Sequence, residues 1–156
     1  MNADSFTMTQ KNDGPRVNQF SIFLPNKVGA LLDIVRLLNE RNVEVVAISI
    51  QDSADTAIVR IVVSDPESVQ DVFREHEIAF SVCQLCVVEL RDGANELGKM
   101  FAALLAAEVN VFGSYALLTR PRGKTALAVH VEDDECACAV LNSHGFTILS
   151  QADISR

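Results

Sequence analysis

The chain contains an internal repeat, and this repeat constrains its fold more than any other feature of the sequence. The segment VGALLDIVRLLNERNVEV, which begins at Val28, aligns without a gap on ANELGKMFAALLAAEVNV, which begins at Ala94. Both segments carry apolar residues at the i, i+3, i+4, i+7 spacing of one helix face, and both run into a β-branched stretch. Each half is therefore predicted to open with the same strand-to-helix unit. The matching apolar positions are Leu31, Ile34, Val35 and Leu38 in the first copy and Leu97, Met100, Phe101 and Leu104 in the second.

A second pair of matching segments follows further along each half. SDPESVQDVF, which begins at Ser64, aligns on EDDECACAVL, which begins at Glu132. Asp65 and Asp133 take the position of a helix N-cap, and apolar residues follow each of them at helical spacing. We therefore expect a second helix in each half. Its apolar positions are Val69, Val72 and Phe73 in the first copy and Ala137, Val140 and Leu141 in the second.

The remaining segments alternate as β-strands do. The expected strands are 17–24, 43–51, 56–63, 77–82, 84–90, 109–118, 124–131 and 146–151. Each half then has the order βαββαβ, which predicts an α+β fold of antiparallel sheets with helices on one face. The residues expected to face the helices are Phe20, Ile22, Leu24, Val59, Ile61 and Val63, and in the second half Cys86, Val88, Leu90, Leu127, Val129 and Val131.

The opposite face of the predicted sheets is also partly apolar. Phe23, Val62, Leu85 and Val87 point to that face. A lasting apolar surface usually marks a contact with a partner. We therefore expect the protein to associate with itself as a homo-oligomer, most simply a homodimer.

Length and composition exclude several classes of protein. A chain of 156 residues suits one domain or two small ones, and its 49% of hydrophobic residues is too high for a disordered chain. Its net charge of −8 disfavours nucleic acids and anionic membranes as partners, because both need a basic surface. No apolar run approaches the ~20 residues of a membrane-spanning helix. We therefore expect a soluble protein with no nucleic-acid or membrane partner.

The polar opening segment MNADSFTMTQKNDGP lacks the apolar run of a signal peptide. It is expected to form a disordered tail over residues 1–15 of a cytoplasmic protein. The two repeat units are expected over residues 16–83 and 84–156.

Two βαββαβ units of this size, each with a tight turn between first strand and first helix, resemble the ACT domain, a small amino-acid-binding regulatory module. The family's turn reads roughly Asp/Asn-x-Pro-Gly-x-Leu. Here it appears as Asn26-Lys27-Val28-Gly29-Ala30-Leu31 and again as Asp92-Gly93-Ala94-Asn95-Glu96-Leu97. Both copies lack the proline, and the second has Asn95 in place of the glycine. The resemblance covers nearly all of the chain after the tail. It implies a stand-alone pair of ferredoxin-like units, side by side as one eight-stranded sheet, with no enzyme domain and no cofactor.

The resemblance also implies a ligand site between ACT units, where the turn of one unit faces the start of the second strand of the other. A helix beginning at Gly29 or Ala30 offers free N–H groups and the positive end of its dipole to a carboxylate. The carboxamides of Asn26 and Asn110 can donate to a carboxylate and accept from an ammonium group. The ligand-binding residues implied are Asn26, Lys27, Val28, Gly29, Ala30, Leu31 and Asn110.

The pseudo-symmetric site would join Asp92, Asn95 and Glu96 to Glu44. It lacks the glycine, and its acidic groups repel a carboxylate. We therefore expect the first site to bind the ligand and the second to be degenerate or differently selective. The structural alternative is that Gly29 only relieves a tight turn and that Asn26 only caps a helix.

The four cysteines do not form a recognisable chemical site. Cys83 and Cys86 have the spacing of a redox or zinc motif, but they fall at a junction of strands rather than at a helix N-terminus. Cys136 and Cys138 lie on different sides of the last predicted helix, which prevents them from binding one ion together. We expect Cys83 and Cys86 to pack in the core and expect no metal site, while a redox role for any of the four stays open.

The histidines and the single tyrosine have structural explanations. His76 and His144 take equivalent positions near helix C-termini, where a histidine interacts favourably with carbonyls. His130, expected on the face away from the helices, is a candidate for a partner contact, and Tyr115 is a candidate for a ligand site or an interface. A nucleophile, a base and an orienting group do not occur together, so no catalytic residue is expected.

We therefore expect a non-catalytic protein that binds an amino acid or related metabolite at a seam between ACT units and regulates an enzyme, another partner or its own assembly. One alternative is a ligand-free interaction module, which the missing prolines and Asn95 favour. Another is an RNA-binding module, because the RNA-recognition fold shares the order βαββαβ. The acidic net charge and an aromatic content of 6% provide neither the basic surface nor the stacking residues for RNA.

Overall fold

The computed structural model describes residues 15–25 and 29–155. Its strands are β1 (Val17–Pro25), β2 (Val45–Asp52), β3 (Thr56–Val63), β4 (Phe80–Leu90), β5 (Val111–Ala116), β6 (Thr125–Val131) and β7 (Thr147–Leu149). Its helices are α1 (Ala30–Glu40), α2 (Pro66–Glu75), α3 (Leu97–Ala106), α4 (Asp134–Ser143) and α5 (Gln151–Ile154), with 3₁₀ turns at Gly93–Glu96 and Pro121–Gly123. These elements confirm the predicted α+β class and the repeated βαββαβ order.

In the first unit, α1 and α2 cover the sheet face that the strand alternation predicted. The strand order is β2-β3-β1-β4, and all pairs are antiparallel. Phe20 on β1 is fully buried, and its ring meets the ring of Phe73 from α2 edge-on at 6.0 Å. The other buried members of this core are Ile22, Leu24, Ile34, Leu38, Val43, Val59, Ile61, Val63, Val69 and Val72.

The second unit repeats this packing with α3 and α4. Its core contains Cys86, Val88, Leu90, Met100, Ala103, Leu104, Val129, Val131, Ala137, Cys138, Leu141, Phe146 and Ile148. Phe101 differs from its predicted position, because it is 37% exposed. The residues of α3 that face the sheet are Met100, Ala103 and Leu104, so the Phe101 side chain lies at the margin of the contact.

Both second helices begin at the predicted caps. The Asp65 carboxylate accepts the backbone N–H of Ser68 at 3.2 Å, and Pro66 is the first residue of α2. The Asp133 carboxylate accepts the backbone N–H of Cys136 at 3.0 Å. The repeat thus preserves the capping interaction as well as the apolar pattern.

The sheet has seven strands rather than the expected eight, because one strand serves both units. β4 is continuous from Phe80 to Leu90 and runs through the predicted boundary between residues 83 and 84. Its first part, up to Leu85, pairs with β1. Its second part pairs with β6 on one side and with β7 on the other.

The helix-free faces of the two units pack against each other inside one chain. Val62 from the first unit and Val87 and Ala128 from the second are fully buried there. The remaining buried members of this inter-sheet core are Val17, Val46, Ala47, Leu85, Leu117, Ala126, Leu149 and Ile154. The arrangement corrects the reason given above for self-association, because the packing of the two units on each other buries Val62, Leu85 and Val87. Phe23, which is 46% exposed, stays at the surface.

Polar contacts reinforce the packing of the two units. The backbone N–H of Leu118 donates to the carbonyl of Val46 at 2.7 Å. The side chain of Gln151, at the start of α5, donates to the carbonyl of Val63 at 3.0 Å. The end of the second unit is thereby held against the first.

Candidate functional site

The first strand-to-helix turn is built around a glycine in a left-handed conformation. Gly29 has φ 93°, and α1 begins at the next residue with no side-chain cap from the described residues. The first N–H groups of a helix have no partner within the helix, and they carry its positive dipole end. Asn26, Lys27 and Val28, three of the predicted ligand residues, lie outside the described residues. The described part of this turn therefore presents the backbone of Gly29, Ala30 and Leu31.

A cavity of about 310 Å³ opens beside this turn. Its walls come from the end of β1, the start of α1, the end of β2 and the start of β3. The lining residues are Leu24, Pro25, Ala30, Leu31, Ile50, Asp52, Ala57 and Val59. Asp52 is the single acidic residue among these otherwise apolar neighbours. The sequence reasoning missed it, because only the fold brings the end of β2 beside the turn.

Asn110, the predicted partner of this turn, lies just before β5. Its exposed side-chain amide donates to the carboxylate of Glu132 at 2.9 Å. Glu132 and Val109 line a different cavity of about 630 Å³, together with Arg16 and several acidic residues. The hydrogen-bond partner of Asn110 therefore belongs to another cavity. Asn110 does not line the cavity beside Gly29.

The equivalent turn of the second unit is built differently. It forms a 3₁₀ turn, and the carboxylate of Glu96 accepts the backbone N–H of Asp92 at 2.9 Å. The backbone N–H of Asn95 donates to the Asp92 carbonyl at 3.3 Å. Glu44, the proposed partner, is exposed, and its backbone N–H donates to the hydroxyl of Ser64 at 2.9 Å. In the second turn an acidic side chain thus occupies one backbone N–H, that of Asp92.

The family model of the ACT domain pair matches residues 16–155, nearly all of the chain. This chain belongs to the ACT domain pair family. A crystal structure of protein BT0572 from Bacteroides thetaiotaomicron is 22% identical, with a TM-score of 0.82 over 92% of this chain and 98% of that one. The ligand-free regulatory subunit of aspartate kinase from Thermus thermophilus is 16% identical, with a TM-score of 0.56 over 84% and 93%.

A third solved structure, the regulatory subunit of aspartate kinase from Thermus flavus, is 18% identical, with a TM-score of 0.52 over 84% of this chain and 93% of that one. A comparison with curated protein sequences finds no match. The ACT domain pair thus shares its fold with the regulatory subunits of aspartate kinase. None of the helices in residues 15–25 and 29–155 has the length and apolar character needed to cross a membrane.

The cysteines of this ACT domain pair occupy core and half-buried positions. Cys86 on β4 and Cys138 on α4 are buried, and their sulfur atoms lie 2.7 Å apart. The hydrogen bond between the two thiols, together with burial, raises the pKa of the Cys86 thiol. Burial also raises the pKa of the half-buried Cys83 thiol, whose sulfur accepts from the Gln19 amide at 3.3 Å. Among the described residues, no group of three or more His, Cys, Asp and Glu side chains could hold a metal ion.

The histidine that follows α4 makes the contact with a helix carbonyl that the sequence predicts. His144 follows α4, and its Nδ1 atom lies 2.8 Å from the carbonyl of Val140 in the last turn of that helix. His76 takes the equivalent C-cap position of α2. The contact of His144 with a helix carbonyl thus supports the structural explanation for this histidine.

Proposed function

We propose that this ACT domain pair is a non-catalytic sensor that binds an α-amino acid at the first turn of its first unit. Binding there regulates a partner protein or the assembly of the protein itself. The observation that carries the proposal is the cavity beside Gly29, which combines the start of α1, where no described side chain forms a cap, with the carboxylate of Asp52 and apolar walls.

Each part of an α-amino acid has a matching group in this cavity. The ligand carboxylate accepts hydrogen bonds from the free N–H groups at the start of α1, as anions do at helix N-termini. The ligand ammonium group pairs with Asp52 at the end of β2. An apolar side chain packs against Leu24, Ile50 and Val59. The zwitterion therefore meets opposite charges on opposite sides of one small cavity.

We assign Asn26, Lys27 and Val28 to the rim of this site and Asn110 to a contact from a second copy of the chain. β5 follows Asn110 directly and is an edge strand, exposed along most of its length. Such an edge can pair with another copy, which would bring a second Asn110 toward a first turn. In this proposal the dimer is part of the sensing mechanism.

The second turn is proposed to be degenerate. Its Glu96 carboxylate already accepts from the Asp92 N–H, and a ligand carboxylate would meet the charges of both residues. The helix-free faces, which an RNA-recognition module would need exposed, are buried against each other. Both features favour a small-molecule site in the first unit.

The test is a thermal-shift screen of the purified chain against the twenty amino acids, followed by titration calorimetry of any amino acid that raises the melting temperature. A ligand at about 100 times its Kd stabilises the folded state by about 2.7 kcal/mol. Asp52→Asn should abolish the shift, because the ammonium group loses its partner. Asp55→Asn, in the exposed hairpin after β2, is the matched control and should leave the shift unchanged.

Asn110→Ala and measurement of molecular mass by light scattering test the role of the second copy. We expect the ligand to raise the dimer fraction of the unsubstituted chain and Asn110→Ala to weaken that response. A flat screen across all twenty amino acids would contradict the sensor and leave a ligand-free interaction module, with partner capture as the next experiment. Binding with no change in mass would confine the site to one chain.

A further inference from the structure

A third cavity lies between the two units. It has a volume of about 390 Å³ and is lined by β1, β2 and β3 of the first unit and by β5 and β6 of the second. Arg60, His130 and Gln19 all reach it from the helix-free faces. The position of His130 agrees with the sequence-based expectation that it faces away from the helices.

The floor of this cavity is a fixed polar network. Gln19 is fully buried, and its carbonyl oxygen accepts from the Tyr115 hydroxyl at 2.7 Å. Its amide nitrogen donates to the sulfur of Cys83 at 3.3 Å. A buried amide with both ends engaged holds its neighbours in place and does not need a ligand for its own hydrogen bonds. Gln19 and Tyr115 therefore shape the cavity from opposite units.

Arg60 gives the cavity a positive charge that no acidic side chain among the described residues neutralises. Its guanidinium donates to the side-chain oxygen of Gln51 at 3.1 Å. Within the described residues, no carboxylate forms an ion pair with Arg60, and no acidic residue lines this cavity. Burial and the nearby Arg60 charge lower the pKa of His130, so the imidazole is neutral at physiological pH.

We propose that this inter-sheet cavity binds a small organic carboxylate that carries no ammonium group, such as a 2-oxo acid. The guanidinium of Arg60 holds the carboxylate, as arginine does in planar two-point recognition. His130 donates a further hydrogen bond, and the ring of Phe112 covers the apolar part of the ligand. An ammonium group is disfavoured because the lining offers it Arg60 and no acidic side chain. The chemistry is thus opposite to that of the cavity beside Gly29, where Asp52 supplies a negative charge.

Binding in this cavity would act on the packing of the two units. Because its walls come from both sheets, an occupied cavity stabilises the arrangement that brings Arg60 and Tyr115 together. A ligand shifts such an equilibrium only by its differential affinity for the two arrangements. This site would let a second metabolite modulate the pair beside the amino-acid site, with Ile50 in the lining of both cavities.

The experiment compares 2-oxo acids with the amino acids of the same carbon skeleton on the full chain. Pyruvate, 3-methyl-2-oxobutanoate and phenylpyruvate are titrated by calorimetry beside alanine, valine and phenylalanine, with inorganic phosphate as a further probe. We expect at least one 2-oxo acid to bind and to shift the imidazole NMR resonances of His130. No binding by any of the three into the millimolar range would overturn the proposal, and so would binding of phosphate alone.

Two variants locate the site. Arg60→Gln should lower the affinity for the 2-oxo acid by about tenfold or more, because a charge-assisted hydrogen bond is lost. Arg74→Gln, on the exposed side of α2, is the matched control and should bind as the unsubstituted chain does. Unchanged affinity in Arg60→Gln would overturn the assignment.

Gly113→Val provides a test that keeps the charge of Arg60. Gly113 lines the cavity and lies two residues before Tyr115, so a side chain there faces the same side of β5. A Cβ atom at this position meets no atom within 4 Å, so the fold should tolerate the substitution while the cavity is reduced. Binding of the 2-oxo acid should be lost in Gly113→Val and retained in Asp52→Asn. Loss of binding in Asp52→Asn with binding retained in Gly113→Val would place the 2-oxo acid at the first turn. That result would overturn the inter-sheet cavity as its site and would not bear on amino-acid sensing.

Discussion

At the scale of single residues, the glycines illustrate how far sequence can be interpreted. The family pattern singled out Gly29, and the structure gives the physical reason, since its φ of 93° lies where other residues are strained. Gly98 has no such requirement, because it lies inside α3 with ordinary helical geometry and open space around its Cβ position. The same substitution at the two positions should therefore have opposite effects.

We predict that Gly29→Ala destabilises the protein by about 1–2 kcal/mol, the approximate cost of a left-handed conformation for a residue with a Cβ. Gly98→Ala should instead stabilise it by at most about 0.5–1 kcal/mol, because alanine is favoured over glycine within a helix and Gly98 lies in the first turn of α3. Urea unfolding of both variants measures the two free energies. A change of the same sign in both would contradict the backbone explanation for Gly29.

A second prediction at this scale concerns His130 and pH. Burial, followed by the Arg60 charge, lowers its pKa in the folded state, so the unfolded chain binds a proton more readily. The contribution of His130 to the free energy of unfolding is therefore fully present above the ordinary histidine pKa of about 6.5. It is lost as the pH falls through that value. The unsubstituted chain should lose more stability than His130→Gln between about pH 7.5 and pH 5.5. If the free energy of unfolding changed with pH equally in both proteins, His130 would not contribute to the pH dependence of stability.

At the scale of elements, the repeat predicted the helices and their caps but not the continuity of β4. Helix caps depend on neighbours three residues away, so Asp65 and Asp133 could be identified from sequence. The expected strands 77–82 and 84–90 are one strand, because Cys83 and Gln84 continue the pairing with Gln19 and Asn18 of β1. Long-range pairing, not local composition, determined this outcome.

The two caps give a prediction with an internal comparison. Asp65→Ala and Asp133→Ala should each destabilise the protein by about 1 kcal/mol through the loss of a capping hydrogen bond. The double variant should lose the sum, because the two helices lie in different units. Asp71→Ala, on the exposed side of α2, is the control and should change stability little. Chemical denaturation of the four variants provides the measurement.

Thiol reactivity tests the packing of α4 on β4. Cys86 and Cys138 are buried, whereas Cys83 and Cys136 are half-buried. Brief alkylation of the native protein, followed by peptide mass spectrometry, should label Cys83 and Cys136 well before the buried pair. Labelling of Cys138 as fast as Cys136 would contradict the burial of this contact. After unfolding in urea, all four should react.

At the scale of the whole molecule, the two ACT units form one cooperative structure. They share β4, and their helix-free faces enclose a common core that includes Val62 and Val87. The apolar residues on these faces could be found from sequence, but the sequence-based interpretation assigned them to contacts between chains. The second unit of the same chain removes that apolar surface from water just as a second chain would.

We predict that Val62→Ala weakens both units together, with a loss of about 2 kcal/mol from the cavity and the lost burial. Hydrogen exchange should report reduced protection in β3 and in β6 alike, although the substitution lies only in β3. Val82→Ala, at a position 39% exposed on β4, is the control and should have a much smaller effect. Protection lost only in the first unit would mean that the two units unfold independently.

The sequence by itself determined the repeat, the βαββαβ order, the helix caps and the core face of each sheet, because these depend on residues close together in the chain. It also identified the turn at Gly29 as the candidate ligand site. Only the tertiary structure decided that the helix-free faces meet within one chain, that Asp52 joins that turn and that Arg60 and His130 share a cavity. These arrangements depend on which distant strands pack together, and local patterns of polarity do not encode that choice.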